Sequence, residues 1–244
     1  MNPFKYRSIV EADHHIQNPL SPAKLTRVID YLRLADGDRA IDVGSGKGSL
    51  LLAMAERHRI EAVGLELNPA FASAARQTLA ASELVGAVTV IDGPALDYEV
   101  VPGSFDVAVT IGATFALGGF EQSLDWLAAV VRSGGRIAVG EPFARLAFSP
   151  EAAARWSEYN RTLPNIEAAV QSRGLILTGI VASAAEDWDH YESQHWRAAA
   201  AWLHDHPDDP DATWLTEKMD ADRRDYLTEE REAFGWAVFV AQKR

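Results

Sequence analysis

AIDVGSGKGSLLLAMAERH, residues 40–58, places three glycines at alternate positions between an apolar run and a helical pattern. A short apolar run that ends in such a turn predicts a buried strand, and the leucine-rich pattern after it predicts a helix. Glycine-rich turns between a strand and a helix commonly hold a nucleotide-like ligand against the first turn of the helix. The stretch therefore predicts an α/β protein with a ligand site at this turn.

The spacing of these glycines argues against two familiar phosphate-binding turns. The dinucleotide pattern G-x-G-x-x-G fits Gly44 and Gly46, but Ser49 stands where the third glycine would bring helix and strand together. The nucleoside triphosphate loop needs a lysine followed directly by serine or threonine, whereas Lys47 is followed by Gly48. An NAD(P)-dependent oxidoreductase stays open as an alternative, although the serine disfavours it.

Strand and helix patterns alternate along most of the chain. The predicted strands are RAIDVG, IEAVGLEL, AVTVIDG, SFDVAVTIGA, GGRIAVGEPF, LILTGIVAS and WAVFVAQKR. Nearly continuous apolar strands that alternate with helices, such as the one predicted over residues 120–133, indicate a parallel sheet covered on both faces. The last strand follows a long helical segment rather than a simple crossover helix, so we predict that it pairs antiparallel.

The chain is predicted to be one domain with four segments. Residues 1–35 hold an N-terminal lid and the first helix, 36–183 the cofactor-binding core, 184–234 a polar helical insertion, and 235–244 the last strand. No Gly/Ser-rich linker separates the insertion from the core. The charged residues 217–232 are interpreted as a solvated helical face, which would also suit a homodimer contact.

Composition limits the classes of function. The 244 residues are 48% hydrophobic, which is enough for a full core, and they carry a net charge of −12, which disfavours nucleic acid as a partner. The lack of cysteine excludes disulfides and cysteine-ligated metal sites, and no metal site is predicted. No signal-like start and no apolar stretch near the ~20 residues of a membrane span occur. We therefore expect a soluble cytoplasmic protein that binds neither nucleic acid nor a membrane.

Two carboxylates stand at predicted strand ends, where ligands of such sheets bind. Glu66 ends the second strand, about 20 residues after the first strand, where an acidic side chain accepts ribose hydroxyls. Asp92 ends the third strand, where its carboxylate could accept a hydrogen bond from the amine of adenine. In the alternative interpretation Glu66 is an ordinary helix-start anion, Asp92 is a turn residue before Gly93, and the three glycines only form a tight turn.

DVGSGKG, GLELNP, IDG and FDVAVTIGA, taken in order, resemble the successive motifs of S-adenosylmethionine-dependent methyltransferases of the Rossmann-like type over roughly residues 25–183. The late EDWDHYE and the charged final helix are similar to a group of bacterial small-molecule methyltransferases. The resemblance implies a seven-stranded sheet with an antiparallel last strand, S-adenosyl-L-methionine as cofactor, and methyl transfer to oxygen, nitrogen or carbon of a small molecule. A cofactor-binding protein without transferase activity stays open as an alternative from another class.

The resemblance also implies a set of cofactor-binding residues: Asp42, Gly44, Gly46, Glu66, Leu67, Asp92, Gly93 and Ile111. The first three would line the methionine end, and Glu66 would hold the ribose. Leu67, Asp92 and Gly93 would contact the adenine. The backbone carbonyl of Ile111 would accept from the methionine ammonium. Because the cofactor carries a sulfonium and an ammonium but no phosphate, an acidic pocket favours it over a pyrophosphate.

The acceptor site has no sequence signature. Methyl transfer is an in-line displacement that depends mainly on alignment, and a base is needed only when the acceptor arrives protonated. Position alone suggests Thr114, Phe115, Trp188 and Tyr191 for substrate contact, and His15, Glu141 and His190 for catalysis. The alternative for each is a solvated histidine or an aromatic side chain that anchors the insertion. HHIQNPLSP, residues 14–22, is predicted to fold over the mouth of the pocket.

Overall fold

The computed structural model describes residues 1–84 and 86–244. Its strands are β1 (Arg39–Val43), β2 (Glu61–Glu66), β3 (Ala87–Asp92), β4 (Phe105–Ile111), β5 (Val131–Ala144), β6 (Leu175–Ala182) and β7 (Phe234–Lys243). They form one seven-stranded sheet in the order β3-β2-β1-β4-β5-β7-β6. The pairings from β3 to β5 are parallel, whereas β7 is antiparallel to β5 and β6. The predicted Rossmann-like fold with an antiparallel last strand is confirmed.

The helices are α1 (Pro3–Val10), α2 (Pro22–Leu32), α3 (Ser49–Arg57), α4 (Pro69–Ala80), α5 (Phe120–Val130), α6 (Pro150–Arg155), α7 (Leu163–Gln171), α8 (Ala185–Asp205), α9 (Ala212–Asp225) and α10 (Arg231–Ala233). Helix starts follow from local chemistry. Asn68 caps α4 by accepting a hydrogen bond from the Ala70 amide at 3.1 Å. Pro69 has no backbone N–H, so it leaves no donor without a partner in the first turn. A short π-helical turn, Tyr226–Glu230, joins α9 to α10.

The sheet separates two apolar layers, because successive strand residues point to opposite faces. Ala40 belongs to the layer under α2 and α3, where Leu51 and Met54 are fully buried. Its neighbour Ile41 belongs to the opposite layer, which Leu124 of α5 joins. Burial on both faces explains the nearly continuous apolar strands. It also leaves the carboxyl ends of the strands as the place where polar groups can gather.

Helix α5 is shorter than the predicted helix over residues 120–133. It ends at Val130, and the chain continues directly into β5, where Val131 is fully buried and pairs with Phe105. Arg132 Nε donates to Asp106 at 2.5 Å and holds the strand start in place. The sequence pattern could not show this change, because valine and arginine suit either state until tertiary contacts decide.

Helices α8, α9 and α10 connect β6 to β7 and are partly covered by α1. Ile9 and Val10 of α1 form an apolar cluster with Leu215 and Met219 of α9. The segment predicted to be a solvated face therefore has a buried side. The division into lid, core, insertion and last strand stays a prediction. Among the described residues, no helix combines the length and the apolar character that a membrane crossing requires.

Candidate functional site

A cavity of about 1390 Å³ lies where the carboxyl ends of β1, β2, β4 and β5 meet the N-terminal and late helical segments. Pockets for one small ligand usually span ~300–1,000 Å³, so this cavity has room for two small molecules side by side. We call one side the strand-end wall, with Asp42, Gly44, Ser45, Gly46, Glu66, Leu67, Gly93 and Ile111. We call the other side the insertion wall, with Trp188, Tyr191, Glu192, His195, Asp222 and Glu230.

The glycine loop of the strand-end wall has a conformation that only glycine adopts easily. Gly44 and Gly46 have φ values of +71° and +56°, in the left-handed region. The Gly44 amide donates to the Leu65 carbonyl at 2.8 Å, which ties the loop to β2. A Cβ atom on Gly44 would stand 2.2 Å from the Cβ of Ala113. The loop is therefore packed closely enough to exclude any side chain at this position.

Glu66 joins the glycine loop to the start of α4. Its carboxylate is buried, and its two oxygens accept hydrogen bonds from the backbone amides of Gly46 at 2.8 Å and Asn68 at 2.7 Å. Burial raises the pKa of this carboxyl, and the two amide donors oppose that rise. Each carboxylate oxygen keeps a second lone pair. Glu66 is thus a fixed side chain with acceptor capacity left toward the cavity.

Asp42 is a buried carboxylate without a counter-charge. It is 3% exposed, and it accepts no hydrogen bond and forms no ion pair with any residue that the structure describes. Burial and the neighbouring Glu66 carboxylate raise the pKa of Asp42 to about 7. Because an unpaired buried carboxylate is costly, the strand-end wall favours a positively charged guest. Ser45 Oγ, also buried and without a partner in the described chain, offers such a guest another polar contact.

The predicted contact between Asp92 and adenine has no support in this geometry. Asp92 is not among the described residues that line the cavity, and its side chain is 46% exposed. Its oxygens accept from the Arg76 guanidinium at 2.5 and 3.2 Å, an ion pair that lowers the pKa of Asp92. Its neighbour Gly93 does line the cavity, as do Leu67 and Ile111. The third predicted strand thus brings its backbone, but not its carboxylate, to the site.

Thr114 and Glu141 lie side by side in the cavity lining. Thr114 follows β4, Glu141 lies in β5, and both are buried. The Thr114 hydroxyl donates to the Glu141 carboxylate. Burial raises the pKa of Glu141 to about 7, and this hydrogen bond opposes the rise. Phe115 also lines the cavity. Three residues that the sequence analysis predicted from their positions after strands therefore lie in the same lining.

The histidines chosen from the sequence do not reach the cavity. His15 and His190 are exposed, and neither lines the part of the cavity that the structure describes. His14 is buried, and its Nε2 lies 3.0 Å from the Tyr191 carbonyl oxygen. Burial and nearby positive groups lower the pKa of His14 to about 4, so its ring packs as a neutral group against His195. His14 therefore joins the N-terminal segment to α8.

A segment that we call the N-terminal strap, residues 11–18, crosses the glycine loop. Lys47 Nζ donates to the backbone carbonyls of Glu11, Ala12 and His14 at 2.6, 2.9 and 3.1 Å. One lysine of the glycine loop thus holds three carbonyls at the start of the strap. The strap also lines the cavity with four of its own residues, Glu11, Ile16, Gln17 and Asn18.

The insertion wall carries residues that the sequence analysis did not identify. Glu230 ends the π-helical turn and lines the cavity, although its segment was interpreted as solvated. The turn is fixed on both sides by Asp189 of α8, which accepts from the Tyr226 hydroxyl at 2.7 Å and from Arg231 at 2.8 and 2.9 Å. A π turn interrupts the helical period, so no single pattern could have placed Glu230 inward.

Comparisons with known proteins find a family and several relatives that share this fold. A model of the methyltransferase domain family matches residues 40–135. YjhP of Escherichia coli is 31% identical over 238 residues, which cover 96% of each chain, and its crystal structure gives a TM-score of 0.90 at 30% identity over 98% of this chain and 100% of that one.

Two solved structures are each called an SAM-dependent methyltransferase in complex with S-adenosyl-L-homocysteine. The one from Geobacter sulfurreducens has a TM-score of 0.89 at 32% identity and covers 98% of both chains. The one from Thiobacillus denitrificans has a TM-score of 0.88 at 32% identity, with coverage of 100% of this chain and 99% of that one. The individual site residues of the present chain stay predictions.

Proposed function

Since this chain belongs to the S-adenosylmethionine-dependent methyltransferases of the Rossmann-like class, we propose that it methylates a small molecule bound beside the cofactor in the same cavity. The size of the cavity supports this, because it exceeds what one ligand usually fills. The buried Thr114–Glu141 pair lines the same cavity, and we place the acceptor beside it, facing the methyl group.

The observation that carries the proposal is the unpaired buried carboxylate of Asp42 beside Glu66. Together they make the strand-end wall acidic, which suits a cofactor with a sulfonium and an ammonium. We assign the ribose hydroxyls to Glu66, whose oxygens have lone pairs left after accepting two amides. Leu67 and Gly93 flank the adenine. Asp92 is left out of the assignment, because Arg76 engages it.

Asp42, Gly44 and Gly46 line the methionine end in this proposal, and the Ile111 carbonyl accepts from its ammonium. The bound cofactor supplies a methyl group already activated by the sulfonium. The residues of this chain hold the acceptor in line with that group and exclude water, which is the main source of rate in such displacements. The N-terminal strap closes the cavity over the glycine loop.

We assign Glu141 the role of general base, which takes the proton from an acceptor that arrives protonated. Its pKa of about 7 suits a group that must take up and release a proton near neutral pH. Thr114 positions the carboxylate through their hydrogen bond. His15 and His190 are not used, because both are exposed outside the described cavity lining. The aromatic residues Trp188 and Tyr191 contact the substrate from the insertion wall.

Calorimetric titration with S-adenosylhomocysteine tests the ribose assignment. In Glu66→Gln we expect a roughly 10- to 100-fold weaker affinity, since losing a hydrogen bond to a charged group costs about 1–3 kcal/mol. Glu61→Gln is the matched control, because Glu61 begins the same strand with its side chain 77% exposed. An unchanged affinity in Glu66→Gln would contradict the assignment.

Turnover of Glu141→Gln tests the proton assignment separately. With any acceptor found in a methyl-transfer screen, we expect a loss of kcat and of the rising limb of the pH profile near 7, while affinity for S-adenosylhomocysteine stays at the wild-type value. Full activity of this variant across the pH range would remove Glu141 from the mechanism and leave the cofactor site untouched.

A further inference from the structure

The carboxylate of Glu230 has no partner of its own. It is half-buried in the cavity lining, and it makes no hydrogen bond or ion pair with any described residue. Burial, together with the carboxylates of Glu192, Asp225 and Asp222, raises the pKa of Glu230 to about 7. Mutual repulsion of this kind is relieved when a positive charge enters the site.

The cations that line the same cavity already have partners. They are Arg7, Arg161 and Lys218. Lys218 Nζ donates to both oxygens of Asp222 at 2.5 and 2.6 Å, and Arg7 donates to Glu11 at 2.9 Å. Arg161 donates to a backbone carbonyl three residues before it at 2.5 Å, and its Nε lies 3.9 Å from a carboxylate oxygen of Glu121. An anionic acceptor would therefore meet repelling carboxylates, and no lining cation among the described residues lacks a carboxylate nearby.

His195 adds a second acceptor without a partner to the insertion wall. It is 9% exposed and lines the cavity, and its Nε2 atom is buried without a hydrogen-bond partner in the described structure. Its Nδ1 lies 3.4 Å from a Glu192 oxygen. With the proton on Nδ1 facing that carboxylate, Nε2 is a bare acceptor. The wall thus presents acceptors to a guest that must bring donors.

Aromatic rings complete this wall. Trp188 and Tyr191 line the cavity from α8, the helix that also carries Glu192 and His195, and Trp188 Nε1 donates to Glu192 at 3.3 Å. Trp236 of β7 lines the same cavity. Ring faces attract cations and also pack against apolar groups. The lining therefore suits a guest with a positive head and an apolar body.

We propose that the acceptor of the methyl group is a small amine, bound as its ammonium by Glu230, Glu192 and His195, with an apolar body against the aromatic rings. This inference rests on the proposed function, since it names the substrate class of the same site. It commits the acceptor atom to nitrogen. The π-helical turn supports it, because such turns commonly mark functional positions and this one is fixed so that Glu230 lines the cavity.

The transfer step balances within this site. The ammonium gives one proton to the Glu141 carboxylate, which leaves a lone pair on the nitrogen. That pair forms the N–C bond to the methyl group while the C–S bond breaks and its electrons stay on sulfur. The product is an N-methylammonium ion together with S-adenosylhomocysteine, and the proton on Glu141 returns to water when the cavity opens.

A series of probes with one shape and three charges tests the inference. Benzylamine, benzyl alcohol and benzoate are titrated calorimetrically into the wild-type protein saturated with S-adenosylhomocysteine. We expect benzylamine to bind at least tenfold more tightly than benzyl alcohol, and benzoate to be the weakest. At pH 7 benzylamine binding should release protons, detected as a dependence of the heat on the buffer, because the ammonium favours ionised carboxylates.

Glu230→Gln should lose the preference for benzylamine over benzyl alcohol about tenfold. Glu229→Gln is the matched control, because Glu229 lies one position earlier in the same turn, pairs with Arg155 at 2.8 Å and is outside the described lining. Affinity for S-adenosylhomocysteine should not change in either variant. Glu192→Gln repeats the test on another element, should the π turn fail to fold.

The outcomes separate the two proposals. Binding of benzylamine that is absent, or no tighter than that of benzyl alcohol or benzoate, overturns the amine acceptor while S-adenosylhomocysteine binding upholds the cofactor assignments. Failure of the wild-type protein to bind S-adenosylhomocysteine would overturn the proposed function itself. A benzylamine preference that survives in both Glu230→Gln and Glu192→Gln would show that these carboxylates do not create it.

Discussion

The two walls of the cavity hold their carboxylates in different ways. On the strand-end wall, Glu66 receives backbone amides from Gly46 and Asn68, both of which belong to short motifs beside their strands. On the insertion wall, Glu230 receives no partner from the described residues, and its turn is positioned by Asp189, 37 residues before Tyr226. A site for an invariant cofactor can be encoded by local motifs, whereas a site for a particular acceptor depends on distant contacts.

The strand-end wall should tolerate substitution less well than the insertion wall. Gly44→Ala adds a Cβ atom that would stand 2.2 Å from Ala113 in a left-handed conformation. We expect at least a 100-fold loss of affinity for S-adenosylhomocysteine by calorimetry, because the loop must move away from the cavity to relieve the overlap. The loss of folding free energy should include ~1–2 kcal/mol of backbone strain.

Gly37→Ala is the control that isolates this strain. Gly37 also has a positive φ, +93°, but a Cβ atom there would meet nothing within 4 Å. Its folding free energy should fall by a similar strain cost, whereas its cofactor affinity should remain that of the wild type. Equal affinities in the two variants would show that the contact with Ala113 does not shape the strand-end wall.

On the acceptor side, the buried charge of Glu141 should lower the free energy of unfolding. Glu141 holds its proton more tightly in the folded chain, with a pKa of about 7, than in the unfolded chain, whose value is 4.5. The folded state therefore binds more protons between these values, and the free energy of unfolding falls as the pH rises through this window. Glu141→Gln should be more stable than the wild type at pH 8, by ~1–2 kcal/mol, and lose the advantage near pH 5.

Denaturant unfolding at the two pH values measures this difference. Thr114 can still donate to the amide oxygen of the glutamine, so the hydrogen bond is kept and only the charge changes. Glu61→Gln serves as the exposed control and should shift stability little at either pH. A Glu141→Gln protein that is less stable than the wild type at pH 8 would mean that the carboxylate is compensated in the folded state.

The N-terminal strap connects the two walls and should give the smallest effect. Lys47→Met removes three hydrogen bonds to strap carbonyls, and we expect S-adenosylhomocysteine to dissociate about five- to tenfold faster in stopped-flow fluorescence. Lys5→Met removes a lysine that joins α1 to Asp209 and Asp211, away from the cavity, and should leave the rate unchanged. Equal rates in both variants would show that the strap does not control release.

Most of the fold could be predicted from the sequence, because strand and helix periods and caps such as Asn68 are local. The strand-end wall was predicted for the same reason, with the exception of Asp92, whose capture by Arg76 depends on how α4 packs beside β3. Glu230 was missed, since a π turn changes the helical period and its anchor Asp189 is remote in sequence. The end of α5 was also missed, because strand pairing decided it.

The π-helical turn Tyr226–Glu230 gives this scaffold a simple route to new specificity. Such a turn holds one residue more than the α-helical turn it replaces, and each residue rotates the helix by about 100°. Deletion of a single codon there would turn a different side chain inward, while β7, paired with β5 from Phe234 to Gln242, would keep its place. A change in the length of this turn, without any substitution, could therefore change which acceptor the cavity binds.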